Sequence, residues 1–256
     1  RFGNFLPKLR HHLANGFHYT HSTFFGDLSK SAYNTGTMKE RFVIEGLGGE
    51  KTLSGSVAIH GAKNAVLPAM ASALLFQDNL IIENIPVIED VKRMSELLEG
   101  FGAEIKKEGD RKIEIDTTTI DTFEFERAVA KRLRASVILT GPLLARHGRA
   151  TFPFPGGCVL GQRPIDLFIN GFRAMGAEVR EEKDGEDDIF KLSVPKGRLS
   201  GADIFFPLVS VTATETFMMA AVLAEGTTTL RNSAMEPEIA SLADFLNSCG
   251  AHISGA

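Results

Sequence analysis

Cys158 follows two glycines and precedes an arginine by five residues, within Phe154-Pro155-Gly156-Gly157-Cys158-Val159-Leu160-Gly161-Gln162-Arg163-Pro164. Paired glycines give the backbone freedom to expose a side chain. A guanidinium at Arg163 favours the thiolate and can hold an anionic substrate. A cysteine that merely falls in a turn is the plainer alternative. Three further places offer groups for an anion. Lys63 and Asn64 open an apolar helical stretch, where a lysine, an amide and free backbone N–H groups make an anion site. Ser210-Val211-Thr212 stands in the same place before another such stretch and offers hydroxyls to a phosphate, or simply an N-cap. Arg134 opens a third stretch, against the sense of the helix dipole, which points to an anionic partner. The pattern predicts three helix N-termini converging on one anionic ligand. Glu236-Pro237-Glu238 begins a further helix, where acidic residues are favourable without any function.

A repeat positions these groups. Gly-Ala pairs fall at 102–103, 176–177 and 250–251, a spacing of 74 residues both times. Ahead of each pair runs an amphipathic helix with matched apolar positions: Val91, Met94, Leu98, Phe101; Ile165, Phe168, Phe172, Met175; Ile239, Leu242, Leu246, Cys249. This i, i+3, i+7, i+10 spacing is one helical face, closed by a glycine suited to a C-terminal cap. Cys249 therefore reads as a core residue. Earlier in each unit lies a helix apolar nearly all round, at Ala65–Phe76, Ala135–Arg146 and Ala213–Glu225, which should be buried. Strand-like stretches lie at Leu80–Glu83, Ala150–Phe154 and Thr227–Arg231, with another strand expected after each Gly-Ala pair. Glu181–Asp188 reads as a solvated hairpin tip. The unit is strand, helix, strand, helix, strands, and three copies put buried helices inside and sheets outside. The fold class is α/β (α+β).

From Gly148 to Gly176 is 28 residues, whereas Asp78 to Gly102 and Gly226 to Gly250 are each 24. The middle unit carries four extra residues, placed around Cys158. Loops on a rigid scaffold are where chemistry concentrates.

The 256 residues are 43% hydrophobic and 23% charged with a net charge of -4, an ordinary globular balance that implies no nucleic-acid affinity. The longest apolar run, Ala135 to Ala145, is too short to span a membrane. Two cysteines exclude a disulfide scaffold. No phosphate loop, dinucleotide fingerprint or paired C-x-x-C motif supports nucleoside triphosphate, dinucleotide or zinc chemistry. Residues 1–37 carry one acidic residue, Asp27, and four histidines, His11, His12, His18 and His21, whose spacing matches no familiar metal site. This stretch reads as an organelle transit leader or as sequence upstream of a start at Met38.

Lys63-Asn64, Arg134-Ala135-Ser136, the Pro-Gly-Gly-Cys loop, Gly161-Gln162-Arg163-Pro164-Ile165-Asp166 and Ser210-Val211-Thr212-Ala213-Thr214 occur together in this order. From about Arg41 to Ala256 the chain resembles the UDP-N-acetylglucosamine 1-carboxyvinyltransferase family of enolpyruvyl transferases. The cysteine loop separates it from the shikimate-pathway relatives. The resemblance implies an inside-out α/β barrel. Residues 49–256 would form the cysteine-loop domain of three repeats, slightly incomplete at its C-terminus. Residues 41–48 would be the first strand of a second, missing domain, and 1–40 a leader or extension. It implies transfer of the enolpyruvyl group of phosphoenolpyruvate to the 3'-hydroxyl of UDP-N-acetylglucosamine, with phosphate release. That would be the first committed step of peptidoglycan precursor synthesis in the cytoplasm, with no cofactor or metal. By motif match, Cys158 would protonate the enol methylene carbon and be the point of fosfomycin alkylation. Lys63, Asn64 and Arg163 would bind phosphoenolpyruvate. Arg134, Arg163, Pro164, Ile165, Asp166, Leu167, Ser210 and Val211 would bind UDP-N-acetylglucosamine. Thr212 stands where the family usually has Gly. Family members are about twice as long, and their second domain supplies the aspartate that deprotonates the sugar hydroxyl and several arginines. A non-catalytic nucleotide-sugar-binding half and a non-functional gene fragment are the alternatives.

Overall fold

The computed structural model describes residues 45–46, 48–49, 52, 54–155 and 165–256. The leader at 1–40 and the cysteine loop, Gly156 to Pro164, lie outside the described residues. So do 41–44 and 47 of the strand expected over 41–48; Glu45 and Gly46 are in no regular element and Gly48 and Gly49 form a turn. The chain divides into two compact units. The described part of Asn15–His60 carries no helix or strand, and Gly61–Ala256 holds every element below.

The first repeat runs α1 (Lys63–Ser72), a 3-10 turn (Ala73–Leu75), β1 (Leu80–Glu83), α2 (Glu89–Gly100), β2 (Glu104–Lys107) and β3 (Lys112–Asp116). The second has a short α3 (Arg127–Ala130), then a 3-10 helix (Arg134–Leu139) leading into α4 (Thr140–His147). β4 (Arg149–Pro153), α5 (Asp166–Ala174), β5 (Glu178–Asp184) and β6 (Asp187–Ser193) complete it. The third runs β7 (Asp203–Phe205), α6 (Val211–Val222), β8 (Thr229–Arg231) and α7 (Pro237–Ser248). Strand orders β1-β3-β2 and β4-β6-β5 are antiparallel and identical in plan; β7 and β8 pair in parallel. Leu80, Ile82, Ile113 and Ile115 face the core and alternate with more exposed neighbours, as a sheet with one covered face requires.

The three apolar helices form the interior, as their sequences demand. Met70, Leu74, Leu139, Leu143, Leu144, Phe217 and Met219 have no measurable exposure. α1 packs on the 3-10 helix at 134–139 and its terminal turn on α4, so these two inner helices run parallel; α6 packs along both parts of the second. The middle inner helix was expected to be continuous and is not. Pro142 has no N–H for the Ile138 carbonyl, and the Thr140 hydroxyl bonds back to the Val137 carbonyl at 2.6 Å. Its first half therefore winds as a 3-10 helix.

Each amphipathic helix stops in the same way. Gly102, Gly176 and Gly250 have φ of 101°, 87° and 100°. The following alanine donates back five residues: Ala103 to Leu98, Ala177 to Phe172 and Ala251 to Leu246, at 3.0, 2.9 and 3.0 Å. These are Schellman caps, in which glycine takes the left-handed backbone without a Cβ penalty. The strand expected after the third cap does not form. Residues 251–256 are irregular, and the Asn247 side chain takes both backbone groups of Ile253, at 2.7 and 2.8 Å. Phe101 and Met175 are fully buried, whereas Cys249 in the matching slot is half-buried and packed at the core's margin.

Gly141 marks a backbone-to-backbone contact between inner helices. A Cβ there would lie 2.2 Å from the backbone oxygen of Thr216. Gly141→Ala should cost about 2 kcal/mol net: overpacking costs about 1–3 kcal/mol or more and outweighs the roughly 1 kcal/mol gained in helix propensity. Urea unfolding checks this. Gly100→Ala, with nothing within 4 Å of its Cβ, is the control and should not destabilise.

Candidate functional site

Among the described residues no side chain caps α1, which leaves the backbone N–H groups of Lys63 and Asn64 at its open end. Both side chains are already engaged. Lys63 Nζ pairs with Asp90 Oδ1 of α2 at 3.0 Å, with the lysine side chain 53% exposed. Asn64 Nδ2 donates to Glu238 Oε1 of α7 at 3.0 Å. The N-terminus of α7 thus lies beside that of α1.

Arg134 opens the middle inner helix. Its Nη1 donates to the Pro155 carbonyl at 3.0 Å, and Pro155 is the last described residue before the cysteine loop. The arginine ties the start of an inner helix to the foot of that loop. Twelve residues, 154–165, separate β4 from α5, against five in the other repeats, 84–88 and 232–236. The excess has two parts: four inserted residues, and an α5 that begins three positions later in the repeat than α2. Cys158, Arg163 and Pro164 lie outside the described residues. Ile165 caps α5 and is buried, Asp166 is exposed in its first turn, and Leu167 is half-buried. Their helix reaches the core through Phe168, stacked on Phe217 of α6, and Phe172, whose ring is tilted against it.

Ser210 is the N-cap of α6. Its Oγ accepts from the Ala213 N–H at 3.2 Å. A hydroxyl that accepts keeps its own hydrogen for donation, so capping and anion binding are compatible. Val211 and Thr212 form the half-buried first turn, and the Thr212 carbonyl accepts from Thr216 Oγ1 at 2.7 Å.

Glu215 is the group that sequence reasoning missed. It lies on the second turn of α6 at 4% exposure. Burial, then the charges of Glu238 and Glu236, push its carboxyl up to about 8. The signal was present: it is the single charged residue in Val211–Val222, and a carboxylate on a helix apolar all round needs a reason. Glu236 and Glu238, read as ordinary helix-start acids, are the groups that face it. The helix ends therefore meet in two described contacts, Asn64–Glu238 and Arg134–Pro155, and Ser210 at the head of α6 takes part in neither. Cys249 sits outside both, with burial pushing its thiol upward, as suits packing rather than reactivity. Among the described residues no helix is long and apolar enough to cross a membrane.

Buried inner helices with antiparallel sheets outside them are the architecture of an enolpyruvyl transferase fold. The enolpyruvyl transferase NikO from Streptomyces tendae superposes with a TM-score of 0.66 at 22% identity, over 79% of this chain and 46% of that one. EPSP synthase from Acinetobacter baumannii gives 0.59 at 15% identity, over 73% and 42%. Residues 47–256 match the EPSP synthase (3-phosphoshikimate 1-carboxyvinyltransferase) family, and the chain belongs to that family. Its curated relatives include proteins named UDP-N-acetylglucosamine 1-carboxyvinyltransferase. That of Coxiella burnetii (strain Dugway 5J108-111) is 46% identical over 80% of this chain and 46% of its own length. Those of Idiomarina loihiensis and Hydrogenovibrio crunogenus are 46% and 44% identical, over 81% and 84% of this chain and 48% and 50% of their own. The chain spans about half the length of these relatives.

Proposed function

We propose that this chain is the cysteine-bearing part of a cytoplasmic transferase that moves the enolpyruvyl group of phosphoenolpyruvate to the 3'-hydroxyl of UDP-N-acetylglucosamine, at the first committed step of peptidoglycan precursor synthesis. The observation that carries it is the 46% identity over 80% of the chain to relatives bearing that name. In the proposed reaction the sugar 3'-hydroxyl gives its proton to an aspartate of the second domain as its oxygen bonds to C2 of phosphoenolpyruvate, while Cys158 delivers a proton to C3. The tetrahedral adduct then loses phosphate from C2 and a proton from the new methyl group to a base, which restores the double bond; the thiolate is reprotonated, and the hydroxyl proton leaves with the phosphate or solvent. Residues 49–256 form the three-repeat domain of this reading, with 41–48 assigned to a second domain.

Both substrates are anions, and the groups assigned to them are helix ends and cations. Lys63 and Asn64 take phosphoenolpyruvate together with Arg163, exchanging Asp90 and Glu238 for the ligand. Arg134, Arg163 to Leu167, Ser210 and Val211 take UDP-N-acetylglucosamine. Calorimetric titration of the 256-residue chain with UDP-N-acetylglucosamine tests the binding half of this reading. Saturable heat is expected, with affinity weakened about tenfold or more by Arg134→Gln, since a hydrogen bond to a charged group contributes about 1.5–3 kcal/mol. Absence of saturation, or wild-type affinity in Arg134→Gln, overturns it.

A further inference from the structure

We propose that Asp90 and Glu238 are internal counter-ligands at the head of α1: positioning residues that hold Lys63 and Asn64 in the free protein and compete with an incoming anion for them. Two contacts carry this. Lys63 Nζ meets Asp90 Oδ1 at 3.0 Å, and Asn64 Nδ2 donates to Glu238 Oε1 at 3.0 Å. The two acceptors come from different helices, α2 and α7, both of which pack on α1. They hold the same place in their repeats. Asp90 immediately precedes the core residue Val91, and Glu238 immediately precedes Ile239, twice the 74-residue spacing further on. In the middle repeat that place, before Ile165, is Pro164, which has no carboxyl. The acid therefore recurs in the two repeats whose amphipathic helices pack on α1.

An acid in the first turn of a helix favours that helix alone, which would account for both residues without α1. Yet each carboxyl is joined to a side chain of α1, and to consecutive ones. The open N–H groups of α1, the Lys63 ammonium and the Asn64 amide form one donor set, and the carboxylates stand on two of its members. Both contacts lie at the surface, with the Lys63 side chain 53% exposed, so a dissolved anion reaches the same donors. Two carboxylates against one ammonium oppose that anion, and like charges at contact distance repel. A bound anion therefore displaces the carboxylates rather than joining them. The free protein keeps its anion-binding groups ordered and occupied, and its affinity is set below what the donors alone would give.

The contacts stand without the proposed function; the reading of Lys63 and Asn64 as anion-binding groups, and the identity of the anion, rest on it. The experiment titrates the 256-residue chain with inorganic phosphate and, separately, with phosphoenolpyruvate, following the backbone amides of Lys63 and Asn64 by NMR. Asp90→Asn and Glu238→Gln should each bind both anions about fivefold more tightly than wild type, as expected for removing one unit charge at about 4 Å in water. Asp90→Glu keeps the charge and should stay near wild type. Glu186→Gln, between β5 and β6, changes the net charge equally and should not tighten binding. Tightening is the readout that a merely structural role would not give, because losing a structural contact loosens a site. Unchanged or weaker binding in either variant removes that carboxylate from the role; in both, it overturns the inference while the substrate reading stands. Equal tightening in Glu186→Gln also overturns it. If phosphate tightens as described but phosphoenolpyruvate perturbs α1 in no variant, the counter-ligand role stands and the substrate reading fails. Perturbation by neither anion in any of these proteins overturns both.

Discussion

Cys158→Ser, in a full-length protein that contains this chain, should lower kcat at pH 7 by two to four orders of magnitude while leaving UDP-N-acetylglucosamine binding close to wild type. The proposed step delivers a proton to carbon, and positioned general acids contribute about 10²–10⁴-fold. A thiol titrates near working pH and can give up its proton; a serine hydroxyl cannot. In the proposed assignment Arg163, five residues on in the sequence, would lower the cost of the thiolate left behind. Phosphate release under saturating substrates is the measurement, and turnover within tenfold of wild type would remove Cys158 from the acid role. Cys249→Ser is the internal control. That thiol is half-buried at the core's margin, 3.9 Å from Ser248 Oγ, and its replacement should leave kcat unchanged.

Glu215→Gln should make the folded chain more stable at neutral and alkaline pH and reshape its pH profile. The Glu215 carboxyl is raised from the usual glutamate range to about 8. Between about pH 4.5 and 8 the native state therefore holds a proton that the unfolded chain has released. Stability falls as pH rises through that window and levels above it. One held proton corresponds to about 1.4 kcal/mol per pH unit, so at pH 8 the variant should gain on the order of 5 kcal/mol, and nothing at pH 4. His147 opposes this slope on the acid side. Burial, then the charges of Arg146 and Arg149, lower it to about 4. Its native state stays neutral where the unfolded chain is protonated, so its stabilisation is lost as pH falls from the usual histidine range toward 4. The two slopes offset each other between about pH 4.5 and 6.5, and the wild-type profile should fall between about 6.5 and 8. In Glu215→Gln it should instead rise to about 6.5 and stay flat. Urea unfolding at fixed pH values reads both curves, and parallel profiles would mean that Glu215 does not hold the proton.

Much of this architecture was legible because it repeats. Gly102, Gly176 and Gly250 recur with a following alanine, and a cap built from one residue's φ and one backbone bond needs nothing distant. The inner helices were legible because a helix without a polar face has one place to go. Most of the failures are long-range. Lys63 meets Asp90, and Asn64 meets Glu238 across 174 residues; no local pattern pairs them. Thr117 and Arg146 are further cases. Arg146 Nη1 donates at 3.1 Å to the Leu74 carbonyl and at 2.8 Å to Thr117 Oγ1, so an arginine at the end of one inner helix closes the end of another. The middle helix was misread as continuous because Pro142 and Thr140 act through hydrogen bonds that apolar periodicity does not register. Of the candidate site, residue type picked out the cations that the proposal uses and the Ser210 N-cap that α6 carries. Glu215 was passed over because the run around it is so apolar.

Gly141 is one of two flats machined against α6. The other is Gly171 of α5, where a Cβ would fall 2.1 Å from the Phe217 ring. Consecutive residues of α6, Thr216 and Phe217, are thus seated in notches on two different neighbours. A helix held this way has no free screw or sliding motion, since either would drive a carbonyl or a ring into backbone. The α6 helix therefore behaves as a keyed shaft. A push at Ser210 is then carried as a rigid displacement rather than absorbed by slippage, and it reaches first the Ala234 N–H, which donates to Thr214 Oγ1 at 3.0 Å just ahead of α7.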